Sequence, residues 1–131
     1  MEILFLTWEE LEGIHREQLE LYGGQDGYTD RGVVESAFNR PQWTAKYGDP
    51  DIADLAAEYW YGMATTQGFS DGNKRTATNC AVVFLKKNGY GLNVADDQMF
   101  PVALAVATNA MDRDALADWI AAHLIERQGS Q

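Results

Sequence analysis

Apolar residues recur at helical spacing along most of the chain, and short polar stretches separate the helical segments. The first segment begins after Thr7, where Glu10 completes a capping box, and ends at Gly23. Its apolar stripe comprises Trp8, Leu11, Ile14, Leu19 and Tyr22. His15 lies beside this stripe, and we interpret it as a packed or capping histidine rather than a catalytic one.

The helical spacing of apolar residues is lost after a second, shorter helical segment. Asp30 caps a short helix that runs through about Asn39, and Pro41 ends it because proline lacks the N–H that a helix needs. Residues 41–48 contain Gln42, Trp43, Thr44 and Tyr47 but show no helical period. The sequence therefore predicts a non-helical connection here.

Two longer helices follow, separated by a polar loop. Asp49 followed by Pro50 predicts the start of the third helix, which runs through about Thr66. Its one buried face comprises Ile52, Leu55, Ala56, Tyr59 and Met63. The fourth helix begins near Asn73 and ends at Asn88–Gly89. Its buried residues are Ala77, Cys80, Ala81, Phe84 and Leu85.

The C-terminal third of the chain predicts one short strand and two helices. Tyr90–Val94 suits a strand, and residues 99–107 are apolar nearly all round, which predicts a helix at the centre of the fold with Pro101 in its first turn. Asp112 caps the last helix, and residues 128–131 are expected to fray. The packed residues of that last helix are Leu116, Trp119, Ile120, Leu124 and, as a core histidine, His123.

Composition narrows the class of protein. A chain of 131 residues that is 46% hydrophobic predicts one folded domain over residues 1–131. The succession of helical segments, without repeats, predicts that this domain is an all-α bundle. No apolar run is long enough to cross a bilayer, and Cys80 is the single cysteine, so we expect a cytoplasmic protein without an internal disulfide. The net charge of −10 argues against a nucleic-acid partner, because phosphate backbones require a basic face.

The most informative stretch is the loop before the fourth helix. The first backbone amides of a helix have no intrahelical partner and lie at the positive end of its dipole, so they can bind an anion. Gly72 allows a close approach, and Lys74 and Arg75 add two cations at a helix end where stability alone would favour Asp or Glu. A solvated polar loop that only caps the helix is the alternative.

Two further details refine this hypothesis. Asp71 supplies a carboxylate oxygen of the kind that holds Mg²⁺ together with substrate phosphates. The loop is not a Walker A sequence: counted from Gly68, position 73 is Asn instead of Gly, and Arg75 replaces the required hydroxyl residue.

The segment resembles the signature of the Fic/Doc family, His-x-Phe-x-Asp/Asn/Glu-Gly/Ala-Asn-Lys/Gly-Arg. The matching residues are Phe69, Asp71, Gly72, Asn73, Lys74 and Arg75, whereas Gln67 stands where the family has His. Residues 6–15, 34–42 and 84–90 are similar to the Doc (death-on-curing) branch, so the resemblance covers nearly the whole chain. It implies a compact Fic/Doc-type helical bundle with a short flap or strand segment beside the active-site loop.

The resemblance also implies a reaction. Fic adenylyltransferases usually carry a second Arg three residues after the first, and that position is Thr78 here, as is typical of Doc proteins, which present the γ-phosphate of the nucleotide. We therefore expect a toxin of a toxin–antitoxin system that phosphorylates a threonine of elongation factor Tu, blocks translation, and is silenced by a prevents-host-death antitoxin. The implied cofactors are Mg²⁺ and a nucleoside triphosphate, with ATP expected.

Family roles transfer residue by residue. Asp71 would hold Mg²⁺, Gly72 and Asn73 would contact phosphate oxygens, Lys74 and Arg75 would neutralise the charge that develops, and Phe69 would anchor the loop. The flap that docks the target would comprise Gln42, Trp43 and Thr44, unless this segment is an ordinary connecting loop around a buried Trp43.

Position 67 is the exception among these roles. The family's His accepts the proton of the attacking hydroxyl, and the amide of Gln67 cannot. Because general-base catalysis contributes about 10²–10⁴-fold, we expect impaired activity. Gln67 is either a substitution that permits a toxic protein to be produced or a natural variant that acts as a binding module or by other chemistry. A Fic-type AMP transferase is the alternative reaction on the same fold.

Overall fold

In the computed structural model, residues 2–127 are described, and they form six α-helices and one small antiparallel sheet. The elements are α1 (Trp8–Tyr22), α2 (Arg31–Tyr47), α3 (Ile52–Thr66), α4 (Asn73–Lys87), β1 (Tyr90–Leu92), α5 (Asp96–Ala107), α6 (Arg113–His123) and β2 (Leu124–Glu126). The all-α prediction is confirmed. None of the helices in this part of the chain is long and apolar enough to span a membrane.

Helix α3 lies at the centre of the fold. It packs against α2, α4, α5 and α6, and 11 of its 15 residues are buried, so it is enclosed on nearly all sides rather than on one face. Trp60 and Tyr59 are its largest fully buried side chains. Gly62 faces α2, where an added Cβ would lie at an ordinary contact distance of 3.4 Å from the Cβ of Ala37. The predicted buried face of α3 was therefore correct but too narrow.

The predicted break at Pro41 is wrong. Helix α2 continues through this residue to Tyr47, with Pro41 buried inside the helix. The second half of the helix is attached to α3, because the Thr44 hydroxyl lies 2.6 Å and 2.9 Å from the two carboxylate oxygens of the buried Glu58. Burial and this contact outweigh the missing proline N–H. Gln42, Trp43 and Thr44 are consequently helical and do not form an extended flap.

Two other helix positions also require correction. Helix α3 begins at Ile52 instead of Pro50, because Asp51 and Asp54 form a capping box there. Helix α5 begins at Asp96, which places Pro101 inside the helix rather than in its first turn. This helix is not at the centre of the fold: its buried residues are Val102, Ala103 and Val106, whereas Phe100 and Leu104 are exposed.

Most remaining boundaries follow the sequence, but Leu124, predicted to pack within the last helix, begins the unpredicted strand β2 instead. Thr7 and Glu10 form the predicted capping box of α1, and Asp112 caps α6. The predicted strand is shorter than expected and pairs with β2, with Gly91 opposite Ile125. His123, predicted as a core histidine, is only half-buried. Its ring packs at an angle of 33° against that of Trp119, and its Nδ1 lies 2.8 Å from the Trp119 carbonyl oxygen. The predicted frayed tail, residues 128–131, lies outside the described residues.

Cys80 is a core residue, as predicted. It is fully buried within α4, and burial raises the pKa of its thiol to about 12. A thiol in such surroundings carries almost no thiolate at neutral pH. Packing in the core therefore explains the presence of Cys80, and no nucleophilic role is needed.

Candidate active site

The loop between α3 and α4 begins with a close contact to α2. Helix α3 ends at Gln67, which adopts a left-handed conformation with φ 53° and ψ 43°. Gly68 is buried next to it, and a Cβ there would lie 2.5 Å from Val34 Cγ2 and 2.6 Å from the Asp30 carbonyl oxygen. Its carbonyl accepts hydrogen bonds from the backbone N–H groups of Thr29 and Asp30. Only glycine fits at this position.

Phe69 anchors the loop in the core, as predicted. Its ring is 3% exposed and stacks between His15 and Tyr28, with centroid distances of 3.8 Å and 5.1 Å. The side chain of Asn73 closes the loop, because its Oδ1 accepts from the Phe69 N–H and its Nδ2 donates to the Phe69 carbonyl. Any contact between Asn73 and a phosphate would therefore come from its backbone amide.

Asp71 is held from two sides, although its side chain is exposed. His15 Nε2 lies 2.8 Å from the Asp71 carbonyl oxygen, a contact that requires the proton on Nε2 because a carbonyl only accepts. The backbone N–H of Gln25 donates to Asp71 Oδ2 at 2.7 Å. Gly24 permits this approach, since a Cβ there would lie 2.9 Å from Asp71 Cβ. One carboxylate oxygen is thereby positioned in a side chain that is otherwise exposed.

The start of α4 differs from the starts of α1, α2, α3 and α6, each of which has a side-chain cap. Gly72 occupies the N-cap position with φ 81° and ψ 14° and supplies no side chain to the first amides. The first turn contains no acidic residue and carries Lys74 and Arg75. The positive helix end and two cations therefore meet at one place, which favours a bound anion.

A cavity of about 130 Å³ adjoins this helix start. Lys74 and Arg75 line it on the α4 side, and each lies over an aromatic ring: Lys74 Nζ is 5.1 Å from the Phe100 centroid, and Arg75 Cζ is 4.0 Å from the Tyr22 centroid. Thr78 also lines the cavity, and its hydroxyl donates to the Lys74 carbonyl at 3.0 Å. Thr78 therefore forms part of the cavity wall.

The structure brings together four of the predicted site residues, Asp71, Gly72, Lys74 and Arg75. Gln67 is exposed at the end of α3. The predicted flap residues lie elsewhere: Thr44 is ten residues along α2 from the Val34 contact with the loop, which corresponds to about 15 Å at the helical rise of 1.5 Å per residue. Trp43 is 56% exposed, so it is not the buried anchor of a connecting loop either.

The residues of this site could hold a magnesium ion only together with substrate phosphates. Among residues 2–127 no group of three or more His, Cys, Asp or Glu side chains could hold a metal ion. Asp71 offers an exposed carboxylate of which one oxygen, Oδ2, accepts from the Gln25 N–H. This suits Mg²⁺, which keeps several waters and is commonly bound by one or two carboxylates plus substrate phosphates.

Gln18 was missed in the sequence analysis. It follows Leu11 and His15 at intervals of four and three residues, so a polar amide interrupts the inward stripe of α1. In the structure Gln18 is 4% exposed and lines the cavity beside Lys74. A polar residue at an apolar position of the stripe was the available signal.

The chain is similar to known proteins of one family. The model of the Fic/DOC family matches residues 5–85. The chain is 33% identical over 112 residues to "Protein kinase doc" of Escherichia phage P1, covering 84% of this chain and 87% of that protein. It is also 37% identical over 101 residues to "Toxin Doc" of Mycolicibacterium smegmatis, covering 73% of this chain and 77% of that protein.

Proposed function

Because the chain belongs to the Fic/DOC family and to its Doc branch, we propose that it is a toxin of a bacterial toxin–antitoxin system with a phosphoryl-transfer site. The donor is a nucleoside triphosphate, with ATP expected, and the acceptor is a threonine hydroxyl of elongation factor Tu in the cytoplasm. A prevents-host-death antitoxin is the partner that silences it. The names of the two relatives support the toxin and kinase parts of this proposal.

The observation that carries the proposal is the open start of α4. Gly72 leaves the first amides of the helix without a side-chain cap, and Lys74 and Arg75 place two cations beside them. Phosphoryl transfer depends mainly on positioning and charge neutralisation, which these groups can provide. Lys74 and Arg75 would bind the non-bridging oxygens of the transferred phosphate, and the helix amides would bind the adjoining phosphate.

Mg²⁺, where Asp71 would hold it with the phosphates, neutralises part of their negative charge. The protein's own contribution is to fix Asp71: the Gln25 N–H orients its carboxylate, and His15 holds its backbone carbonyl. Phe69 and Asn73 fix the rest of the loop, so the anion site is formed before a ligand arrives.

In the reaction, the threonine oxygen forms a bond to the γ-phosphorus while the bond from that phosphorus to the β,γ-bridging oxygen breaks. The nucleoside diphosphate leaves, and the threonine proton must pass to a base. Gln67 is placed at the family's base position but cannot accept this proton. We therefore propose that the site binds its ligands and transfers the phosphoryl group slowly.

Replacing Gln67 by His tests the proposal. The left-handed conformation at this position favours Asn, Asp and His among residues other than glycine, so the backbone accepts the change. We expect Gln67→His to raise transfer of label from [γ-³²P]ATP to purified elongation factor Tu by about 10²–10⁴-fold. Gln67→Asn is the matched control, since it suits the same backbone but adds no base.

Each outcome of this experiment has a defined meaning. Label from the γ-phosphate supports the kinase, and label from the α-phosphate on the target protein would establish AMP transfer instead. If Gln67→His transfers label neither from γ-labelled nor from α-labelled ATP, the enzymatic proposal is overturned and a partner-binding protein is favoured. Growth arrest of bacteria that produce Gln67→His, without arrest by Gln67→Asn, would link the chemistry to toxicity.

A further inference from the structure

His15 contacts the loop before α4 at several points. Its ring is 5% exposed and stacks on Phe69 at a centroid distance of 3.8 Å. Its Nε2 lies 2.8 Å from the Asp71 carbonyl oxygen. Gly72 lies next to it as well, since a Cβ there would be 3.6 Å from His15 Cδ2 and 3.7 Å from His15 Nε2. The contacts of this one side chain therefore extend from Phe69 to the N-cap of α4.

The contact with Asp71 fixes a whole peptide unit. The Asp71 carbonyl and the Gly72 N–H belong to one planar trans peptide, in which the C=O and N–H bonds point in opposite directions. A carbonyl that is held towards His15 therefore directs the Gly72 N–H away from His15. Within residues 2–127 no backbone carbonyl accepts a hydrogen bond from this N–H, which leaves it open to a ligand.

Gly72 makes an external constraint on this peptide necessary. Its φ of 81° and ψ of 14° lie in the left-handed region, and glycine populates other regions as readily because it has no Cβ. The peptide that precedes Gly72 can therefore turn over unless a neighbouring group holds it. A hydrogen bond donated by His15 selects one of its orientations.

We propose that His15 is a positioning residue of the phosphate site, whose Nε2–H holds the Asp71–Gly72 peptide so that the Gly72 N–H is presented to a bound phosphate. The inference rests on the proposed phosphate site at the start of α4. The stack on Phe69 supports this role because it fixes the plane of the imidazole. His15 acts through the peptide and neither contacts the phosphate nor accepts a proton in the reaction.

Two substitutions separate the donor of His15 from its ring. His15→Gln keeps an N–H donor at the same number of bonds from the backbone, and His15→Phe keeps a ring but has no donor. Calorimetry on the full chain measures the binding of magnesium tripolyphosphate. We expect His15→Phe to weaken binding about three- to tenfold and His15→Gln to stay within twofold of the unmodified protein.

Chemical denaturation of the same two variants is the control for packing. A merely structural role would make loss of binding follow loss of stability in both variants. Equal weakening in His15→Gln and His15→Phe, or no weakening in either, would overturn the proposal.

The Gly72 amide reports on the peptide itself. In ¹H–¹⁵N spectra we expect its resonance to shift when magnesium tripolyphosphate is added to the unmodified protein or to His15→Gln, and to shift much less in His15→Phe. If the unmodified protein binds tripolyphosphate while the Gly72 resonance stays in place, this N–H does not face the phosphate and the inference is wrong.

A measurement on the unmodified protein covers the case in which the variants fail to fold. The chain has two histidines, and their carbonyl contacts require opposite tautomers, with the proton on Nε2 of His15 and on Nδ1 of His123. The ¹⁵N chemical shifts of the rings, measured in alkaline buffer where an imidazole is uncharged, distinguish the two tautomers. A neutral His15 with its proton on Nδ1 could not donate to Asp71 and would refute the proposal.

The binding data also separate this inference from the proposed function. If the unmodified protein and His15→Phe bind magnesium tripolyphosphate equally well, the phosphate site stands and His15 only packs. If the unmodified protein binds no tripolyphosphate, the proposed phosphate site itself fails, and the positioning role of His15 fails with it.

Discussion

The two ends of α4 have similar side-chain hydrogen bonds, but the charges beside them suit the helix dipole at one end and oppose it at the other. At each end an Asn side chain binds the backbone of an extended segment: Asn73 binds Phe69, and Asn88 binds the N–H and carbonyl of Leu4. At the C-terminal end, Lys86 and Lys87 lie where the helix dipole favours cations. At the N-terminal end, the dipole opposes the cations that are present.

A cation at the C-terminal end also has hydrogen-bond and ion-pair partners within the protein, whereas the cations at the N-terminal end have none among the described residues. Lys87 Nζ donates to the Phe5 carbonyl at 3.0 Å and to Glu10 Oε1 at 2.8 Å. Lys74 and Arg75 form no ion pair among the described residues, and they contact only aromatic rings in this way. The same helix therefore serves stability at one end and, we infer, ligand binding at the other.

The largest expected effect comes from filling the contact at Gly68. In Gly68→Ala the new Cβ would meet Val34 and the backbone of Asp30, so we expect the free energy of unfolding to fall by about 1–3 kcal/mol or more. Gly13→Ala is the control, because Gly13 lies within α1 with nothing within 4 Å of an added Cβ. There we expect a gain of about 0.5–1 kcal/mol. Chemical denaturation measures both, and a neutral Gly68→Ala would show that the loop can shift.

The two Asn residues provide a matched pair. Asn73→Ala and Asn88→Ala each remove side-chain hydrogen bonds to backbone groups, and we expect each to lower the free energy of unfolding by about 1–3 kcal/mol. Only Asn73→Ala should also weaken tripolyphosphate binding, because it releases the loop at the phosphate site. Equal binding losses in both variants would mean that the two ends of α4 are not functionally distinct.

The charges give a third comparison, in which binding and stability respond differently. Lys74→Met should weaken tripolyphosphate binding about tenfold or more while changing the free energy of unfolding by less than about 0.5 kcal/mol. Removing the Lys74 charge relieves its repulsion from the positive helix end, which raises stability. Losing the contact with the Phe100 ring lowers stability, so the two effects oppose each other. Lys86→Met should leave binding unchanged and lower stability by about 0.3–1 kcal/mol. A binding loss in Lys86→Met would indicate a general charge effect.

The same contrast explains what could be predicted from the sequence. Local signals were sufficient where the structure is determined locally: the capping box of Thr7 and Glu10, the start of α4 after Gly72, and Phe69 as the anchor of the loop. These features depend on residues within a few positions of one another. The family resemblance added the expected chemistry.

Features that depend on distant contacts were not predicted. Pro41 signals a helix end locally, but Thr44 binds Glu58 across the interface with α3 and keeps α2 helical. The apolar residues 99–107 suggested a central helix, whereas Phe100 faces the cavity beside α4. Gln18 could be assigned to a site only after its neighbours on α4 and α5 were known.

The smallest expected effect concerns the ion pair at the satisfied end of α4. Burial raises the pKa of Glu10, but the hydrogen bonds from Lys87 and from the Thr7 backbone outweigh it, so the pKa lies below its usual value of 4.5. The folded state therefore gains stability above about pH 4.5 and loses it as the pH falls through the lowered pKa.

We expect Glu10→Gln to remove this component. The difference in the free energy of unfolding between the parent and Glu10→Gln should stay below about 1 kcal/mol at pH 7, because the pair is about one-third exposed, and it should shrink towards pH 3. Glu9→Gln, in the same helical turn but without Lys87 as a partner, is the control and should show a smaller dependence on pH. A difference that grows on acidification would contradict the lowered pKa of Glu10. The ion pair would then not explain the stability of this end of α4.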